Sequence, residues 1–195
     1  MIIIVSGLPG SGKSSLVELL SQEFKLKKIF ASGILEELGR KKMQEIHVEN
    51  AEKGQGFWES KEGKQLMNKR TNDTSLDKTL DEKLLEIANT QDNVILDSRT
   101  MPWLSPKGIK IWVDASETVR AQRIAERDKL KTSEVLKQMQ ERLKTDQQIY
   151  KKLYGFDLGK DFSPFHIVIN NETIGKKETA ELVIKKIKQF QKKTK

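Results

Sequence analysis

The run GLPGSGKSS at residues 7–15, reached directly from MIIIVS, constrains this 195-residue chain more than any other feature. Gly7, Gly12, Lys13 and Ser14 stand at the spacing G-x-x-x-x-G-K-[ST], with Leu8, Pro9, Gly10 and Ser11 inside the loop and Ser15 just after it. Glycines let backbone N–H groups turn inward around a phosphate. Lys13 places a compact positive charge near the β- and γ-phosphates, and Ser14 offers a hydroxyl to Mg2+. A helix starting here aims its N-terminus at the same anion. The flanks agree. Ile2, Ile3, Ile4 and Val5 form a β-branched run of the kind found in buried parallel strands, and Leu16, Leu19, Leu20 and Phe24 recur at helical spacing. Residues 7–15 are therefore expected to hold ATP, with Ser14 as a metal ligand.

The rest of the chain alternates in the same way. A weak strand is expected at 28–30 and a helix at 34–46. A better helix covers LDKTLDEKLLEIANT, with Leu76, Leu80, Leu84 and Ile87 at periods of three and four. NVILD (93–97) and IKIWVDA (109–115) read as buried strands. Two helices follow at SETVRAQRIAERDK and TSEVLKQMQERLKTDQQIYKKLYG, the first capped by Asp114 or Ser116 and the second stopped at Gly155. FHIVINN (165–171) is the last strand and 176–192 the last helix. The order predicts an α/β domain with a parallel sheet, whose ligands sit beyond the carboxyl ends of the strands. Residues 6–14, 30–33, 97–99, 114–116 and 170–171 then surround one crevice. The glycine-containing, polar stretch at 50–72 cannot build a core of its own and reads as a peripheral lobe.

Composition narrows the function classes. There are no cysteines, which excludes disulfides and thiolate metal sites. The first strand begins at Ile2 and no apolar run approaches membrane-spanning length, so a soluble cytoplasmic protein with no membrane partner is expected. The net charge of +8 is accounted for by the lysine-rich tail KKIKQFQKKTK and by a phosphate-bearing ligand. No basic motif interleaved with aromatics is present, and nucleic acid is not an expected partner. His47 and His166 have no partners at ligand spacing and read as structural.

The absent motifs indicate where the phosphate goes. The strand ending ILDSR has no Glu beside Asp97, and neither N-K-x-D nor D-x-x-G occurs. Transfer to water is therefore disfavoured relative to transfer to a bound acceptor. Arg120, Arg123 and Arg127, spaced three and four apart, share a helix face, and Arg142 lies on the next helix. Arg120 reads as part of a solvated surface. The others are candidates to close over phosphates, exclude water and stabilise spreading negative charge, as a lid. Asp97 is expected to support Mg2+, and Arg99 to bind an acceptor phosphate.

The ordered set MIIIVSGLPGSGKSS, LDKTLDEKLLEIANTQDNVILDSR followed by Trp103, IWVDASETVRAQRIAERDK, and YKKLYGFD leading to FHIVINN resembles the nucleoside monophosphate kinases, and most closely cytidylate kinases of archaeal type. The resemblance spans nearly the whole chain. It implies a P-loop kinase with a five-stranded parallel sheet flanked by helices, built as a core (1–30, 91–122, 155–195), an acceptor-binding lobe (31–90) and a lid (123–154). It implies transfer from Mg-ATP to CMP or dCMP by a monomer. By position, Arg99 matches the arginine that binds the acceptor, Arg123 one lying along the donor base, and Arg127 and Arg142 lid arginines on the phosphates; with Lys13 and Arg99 these lid residues form the expected catalytic set. Ser32, Gly33, Arg40, Arg70 and Arg99 are the expected acceptor contacts. Gly33 and Glu36 stand where similar sequences carry Asp and Arg. The expected arrangement turns Glu36 to solvent and lets Arg40 or Arg70 supply the charge. AMP, a nucleoside or a nucleic-acid 5′ end stay open as acceptors. So does a different class, a non-catalytic nucleotide-binding regulator with a basic RNA-binding surface.

Overall fold

Alternation of side chains along one strand organises the molecule. In the computed structural model, which describes residues 1–44, 65, 68–70 and 73–193, β1 spans Ile2–Gly7 and is buried along almost its whole length. Ile3 and Val5 point to one face of the sheet, where they meet Leu16, Val17 and Leu20 of α1 (Lys13–Phe24) and Val183 and Ile187 of α7 (Lys176–Lys193). Ile4 points to the other face, where Leu35 of α2 (Ala31–Gln44) and Leu76, Leu80 and Leu84 of α3 (Ser75–Thr90) cover it. A strand buried on both sides by helices is the condition under which a parallel sheet forms.

The remaining strands are β2 (Lys27–Phe30), β3 (Val94–Asp97), β4 (Ile109–Asp114) and β5 (Ile167–Asn170). They form one five-stranded sheet in the order β2-β3-β1-β4-β5, and every pairing is parallel. Val5 stands opposite Asp97 on one side and Ile111 on the other, so the ends of β1, β3 and β4 come together. The chain leaves β1 through α1 for β2 on one side of the sheet and later passes from β3 across to β4 on the other side, and this reversal opens the crevice at the carboxyl ends of the strands. The expected α/β class, the strand count and the parallel sheet all hold, and the element boundaries move by three residues or fewer.

A short helix that the sequence did not announce, α4 (Met101–Leu104), follows β3. It is held from both ends. The Ser98 hydroxyl accepts from the backbone N–H groups of Thr100 and Met101, each at 3.3 Å. The Trp103 ring stacks on Phe156 with centroids 4.0 Å apart, while its Nε1 donates to Asp161 at 2.7 Å. Arg99 thus projects from a turn fixed on both sides.

The expected lid is a pair of helices, α5 (Glu117–Asp128) and α6 (Thr132–Tyr154). Ser116 caps α5 by accepting from the Val119 N–H, and α6 ends at Gly155, whose φ of 78° is the left-handed conformation that stops a helix. Ala121, Ile124 and Ala125 of α5 pack on Val135 and Met139 of α6 as a small apolar cluster of their own. The other end of α6 belongs elsewhere: Ile149 and Tyr150 join Leu8, Trp112, Phe156 and Leu158. Among the described residues, no helix is long and apolar enough to cross a membrane. The expected peripheral lobe at 50–72 lies outside the described residues apart from 65 and 68–70, and His47 lies outside them altogether. His166 has a structural partner, since its Nδ1 accepts from the Lys110 backbone N–H at 3.0 Å.

Candidate active site

The glycine-rich loop occupies the crevice between β1 and α1. Gly10 has a φ of +80°, and a Cβ placed on it would lie 2.4 Å from the Arg120 carbonyl oxygen. Both the backbone conformation and the close approach of α5 therefore require glycine there. Gly12, also left-handed, forms the N-cap of α1 without a side-chain cap bond, and no acidic residue sits in the first turn. A helix start with neither a side-chain cap nor an acidic first turn suits an anion.

Lys13 Nζ donates to the Leu8 carbonyl at 3.1 Å, folding back over the loop. Its withdrawal from water, reinforced by Arg99, Arg142 and Arg120 and opposed by Asp97, pushes its pKa down to about 8. These charges converge on the place where the motif expects triphosphate oxygens. Beside them the Ser14 hydroxyl donates to Asp97 Oδ2 at 3.1 Å. A hydroxyl and a carboxylate oxygen this close fit Mg2+, which takes few protein ligands and completes its octahedron with phosphate oxygens and water. Ser14 and Asp97 are thus adjacent.

Three arginines gather around one acidic residue that sequence reasoning passed over. Asp146 of α6 is buried, and its two oxygens are divided. Oδ1 accepts from Arg70 Nη1 at 3.1 Å, Oδ2 accepts from Arg99 Nη1, and Arg142 Nε lies 4.0 Å from Oδ2. Burial pushes the Asp146 carboxyl up, but Arg99, Arg70 and Arg142 together outweigh it and hold the pKa below the usual carboxylate range. Burial likewise works against the Arg99 charge, and Asp146 more than compensates, raising its pKa. The signal for Asp146 was present in the sequence, since Arg142 and Asp146 are one helical turn apart.

Arg70 is 1% exposed and is gripped by a second carboxylate: Nε donates to Asp77 Oδ2 at 3.0 Å and Nη2 to Oδ1 at 2.5 Å. One turn further along α3, Asp81 accepts from Thr100 Oγ1 at 2.5 Å and from the Tyr154 hydroxyl at 2.7 Å. Burial, with help from Asp77 and against the two hydrogen bonds, raises the Asp81 pKa to about 6. Asp77 and Asp81 share the inner face of α3 with the leucines by which the helix was recognised; i,i+4 carboxylates among core positions were the missed signal.

The other expected residues fall in several places. Arg123 reaches Asn171, with Nη1 2.9 Å from the side-chain oxygen and Nη2 2.8 Å from the backbone oxygen. Arg127 is half exposed at the end of α5 and donates twice to Asp128 at 2.7 and 2.6 Å. Ser32 and Gly33 are exposed on the first turn of α2, and a Cβ on Gly33 would have nothing within 4 Å. The side chains of Glu36 and Arg40 lie outside the described residues. Arg120 overturns its expected role as a solvated residue. It is 5% exposed, its Nε donates to the Ala115 carbonyl at 3.1 Å and its Nη1 to the Pro9 carbonyl at 3.2 Å. The close packing of α5 against the glycine loop draws it inward.

Residues 2–173 match the sequence profile of the Cytidylate kinase-like family. The chain belongs to this family. Its relatives include a cytidylate kinase of Sulfurisphaera tokodaii, 32% identical over 185 residues that cover 94% of this chain and 93% of that protein. A cytidylate kinase of Sulfolobus acidocaldarius is 30% identical over 186 residues, covering 94% and 92%. Among solved structures, the fold is shared with shikimate kinase from Acinetobacter baumannii (TM-score 0.56, 15% identity, 96% of this chain and 93% of that one). It is shared also with a deoxyadenosine kinase from M. mycoides (TM-score 0.53, 17% identity, 96% and 100%).

Proposed function

We propose that this protein transfers the γ-phosphoryl group of ATP to a nucleoside monophosphate, with CMP and dCMP as the preferred acceptors. One observation supports the reading: Lys13 and the Ser14–Asp97 pair lie close to Arg99 and Arg142, which meet on Asp146. The names of the Sulfurisphaera and Sulfolobus relatives support the choice of acceptor.

In this reading an oxygen of the acceptor phosphate attacks the γ-phosphorus. The bond between that phosphorus and the β,γ-bridging oxygen breaks, and ADP and the nucleoside diphosphate result. Ser14 and Asp97 would hold Mg2+, which supplies charge neutralisation at the triphosphate oxygens. Lys13 leaves the Leu8 carbonyl to follow the γ-phosphate. Arg99 orients the acceptor phosphate, and Arg142 stabilises the charge that spreads over the transferring oxygens. The buried contacts of Arg70 place it beside Arg99, where it supports the acceptor side. Arg123 lies where the donor base would reach, against Asn171. Arg127 would leave Asp128 for the phosphates as the helical pair closes.

The test is ADP release from Mg-ATP across CMP, dCMP, UMP, AMP and GMP, with a nucleoside and a 5′-hydroxyl oligonucleotide as further acceptors. CMP or dCMP should give the highest kcat/KM. ADP release that no monophosphate stimulates would refute the assignment.

A further inference from the structure

The glycine loop is held both by its own residues and from outside, and the outside contacts determine which way two of its peptides face. Three of its carbonyls, those of Leu8, Pro9 and Ser11, accept hydrogen bonds. Leu8 O accepts from Lys13 Nζ at 3.1 Å and from the Ser11 N–H at 3.2 Å. Pro9 O accepts from Arg120 Nη1 at 3.2 Å. Ser11 O accepts from Asn171 Nδ2 at 2.8 Å. In a planar trans peptide the C=O and the following N–H point in opposite directions. A donor that holds the Pro9 carbonyl therefore turns the Gly10 N–H away from α5, and one that holds the Ser11 carbonyl turns the Gly12 N–H away from the end of β5. These are two of the N–H groups a phosphate would use.

We infer that Arg120 and Asn171 are positioning residues, which set the phosphate-binding conformation of the loop before nucleotide arrives. Each is itself fixed. Arg120 spans from its own helix start, where Nε holds the Ala115 carbonyl, to the loop. Asn171 is 6% exposed and takes the Arg123 guanidinium on its side-chain oxygen while its amide holds the loop. A Cβ on Gly12 would sit 3.1 Å from Asn171 Nδ2, so the amide lies directly against the backbone it orients. The arrangement also joins the loop to α5 twice, through Arg120 directly and through Arg123 by way of Asn171.

The inference rests on the loop binding a nucleoside triphosphate, and the test separates the two. Binding of Mg-ATP and of tripolyphosphate, which has no base, is measured by calorimetry, with melting temperature and the kcat and KM of the phosphotransfer recorded in parallel. Asn171→Leu is neutral and close in size but offers no N–H to Ser11 O. It should weaken tripolyphosphate and Mg-ATP in the same proportion, by about tenfold or more. Arg120→Lys keeps the charge but cannot reach both the Ala115 and Pro9 carbonyls, and should fall between the parent and Arg120→Met. KM for ATP should rise in the same order, among variants that still melt cooperatively. Asn171→Leu with parental tripolyphosphate affinity, or losing ATP alone, would overturn the inference and leave Asn171 a partner of Arg123 only. Parental affinity in Arg120→Lys would reduce Arg120 to a charge and overturn its positioning role. A parent that binds neither ligand refutes the loop reading, and the inference with it. A parent that binds both but phosphorylates no monophosphate refutes only the proposed reaction.

Discussion

Replacing Asp146 by Asn removes a negative charge shared by Arg70, Arg99 and Arg142. The side chain is isosteric and its site is buried, so the change is electrostatic. Arg70 retains Asp77, but Arg99 loses the partner that stabilises its charge and Arg142 loses its i,i+4 neighbour. Removing one partner from a buried ion pair typically costs about 3–5 kcal/mol, because the other charge stays behind uncompensated. For a domain of this length each kcal/mol lowers the melting temperature by about 2–4 °C, so Asp146→Asn should melt roughly 6–20 °C below the parent near pH 7. The sign of the pH dependence follows from the direction of the shift. The Asp146 pKa is depressed in the folded state, so its contribution is fully present above the ordinary aspartate range and is lost as pH falls through the folded value. The gap between parent and variant should be constant from pH 6 to 8 and should narrow below about pH 4. Orthophosphate at fixed ionic strength should also narrow it, by giving the arginines another counter-ion. The assay is thermal unfolding followed by circular dichroism. A variant melting within about 2 °C of the parent, indifferent to phosphate, would show that the three arginines do not depend on this carboxylate.

Other outcomes are open to the same kind of measurement. Lys13 titrates near 8 in the free protein, and a bound triphosphate favours its charged form; ATP affinity should be level below pH 8 and fall by up to tenfold per pH unit above it. Calorimetry should find that slope missing in Lys13→Ala, whose turnover should drop roughly a hundredfold or more, and a parent with pH-independent affinity up to pH 9.5 would refute the argument. Arg99→Lys should raise the acceptor KM and lower kcat in steady-state assays, because a point charge replaces a two-pronged donor; parental kinetics would remove Arg99 from the acceptor site. Arg142→Ala and Arg127→Ala should both lower kcat more than they raise the ATP KM, Arg142→Ala the more strongly because Arg142 already lies in the crevice; unchanged kcat in both would refute the lid assignment.

What the sequence made legible was whatever repeats or has a fixed spacing. The glycine loop could be located to the residue, because its geometry admits few alternatives at Gly10 and Gly12. The strands could be found from short apolar runs, and α3 from its leucines. The residues that hold the site in place were harder to find for a physical reason. Asp77, Asp81 and Asp146 are polar groups at core positions, and an apolar-periodicity reading passes over them even though they have the same helical spacing. Arg120 was read as solvated because it has the period of a surface stripe. Only the approach of the Gly10 backbone to α5, a contact across 110 residues of chain, draws it inward. The short α4 escaped because four residues carry no period. Its position depends on Trp103 finding Phe156, which is far along the sequence.

Helix α6 packs on a different cluster at each end, and its 23 residues amount to about 34 Å of rigid rod. Near its C-terminus the Tyr154 hydroxyl is tied to Asp81, and near its N-terminus Val135 and Met139 are fastened to α5. A rod pinned at one end behaves as a lever. For a tilt of about 10° about Tyr154, Val135 would sweep roughly 5 Å while Asp146, less than half as far from the pivot, would move about 2 Å. Movement at α5 and movement at Asp146 would then be strokes of different length on a single arm, and whatever moved one point of the helix would set the position of the other.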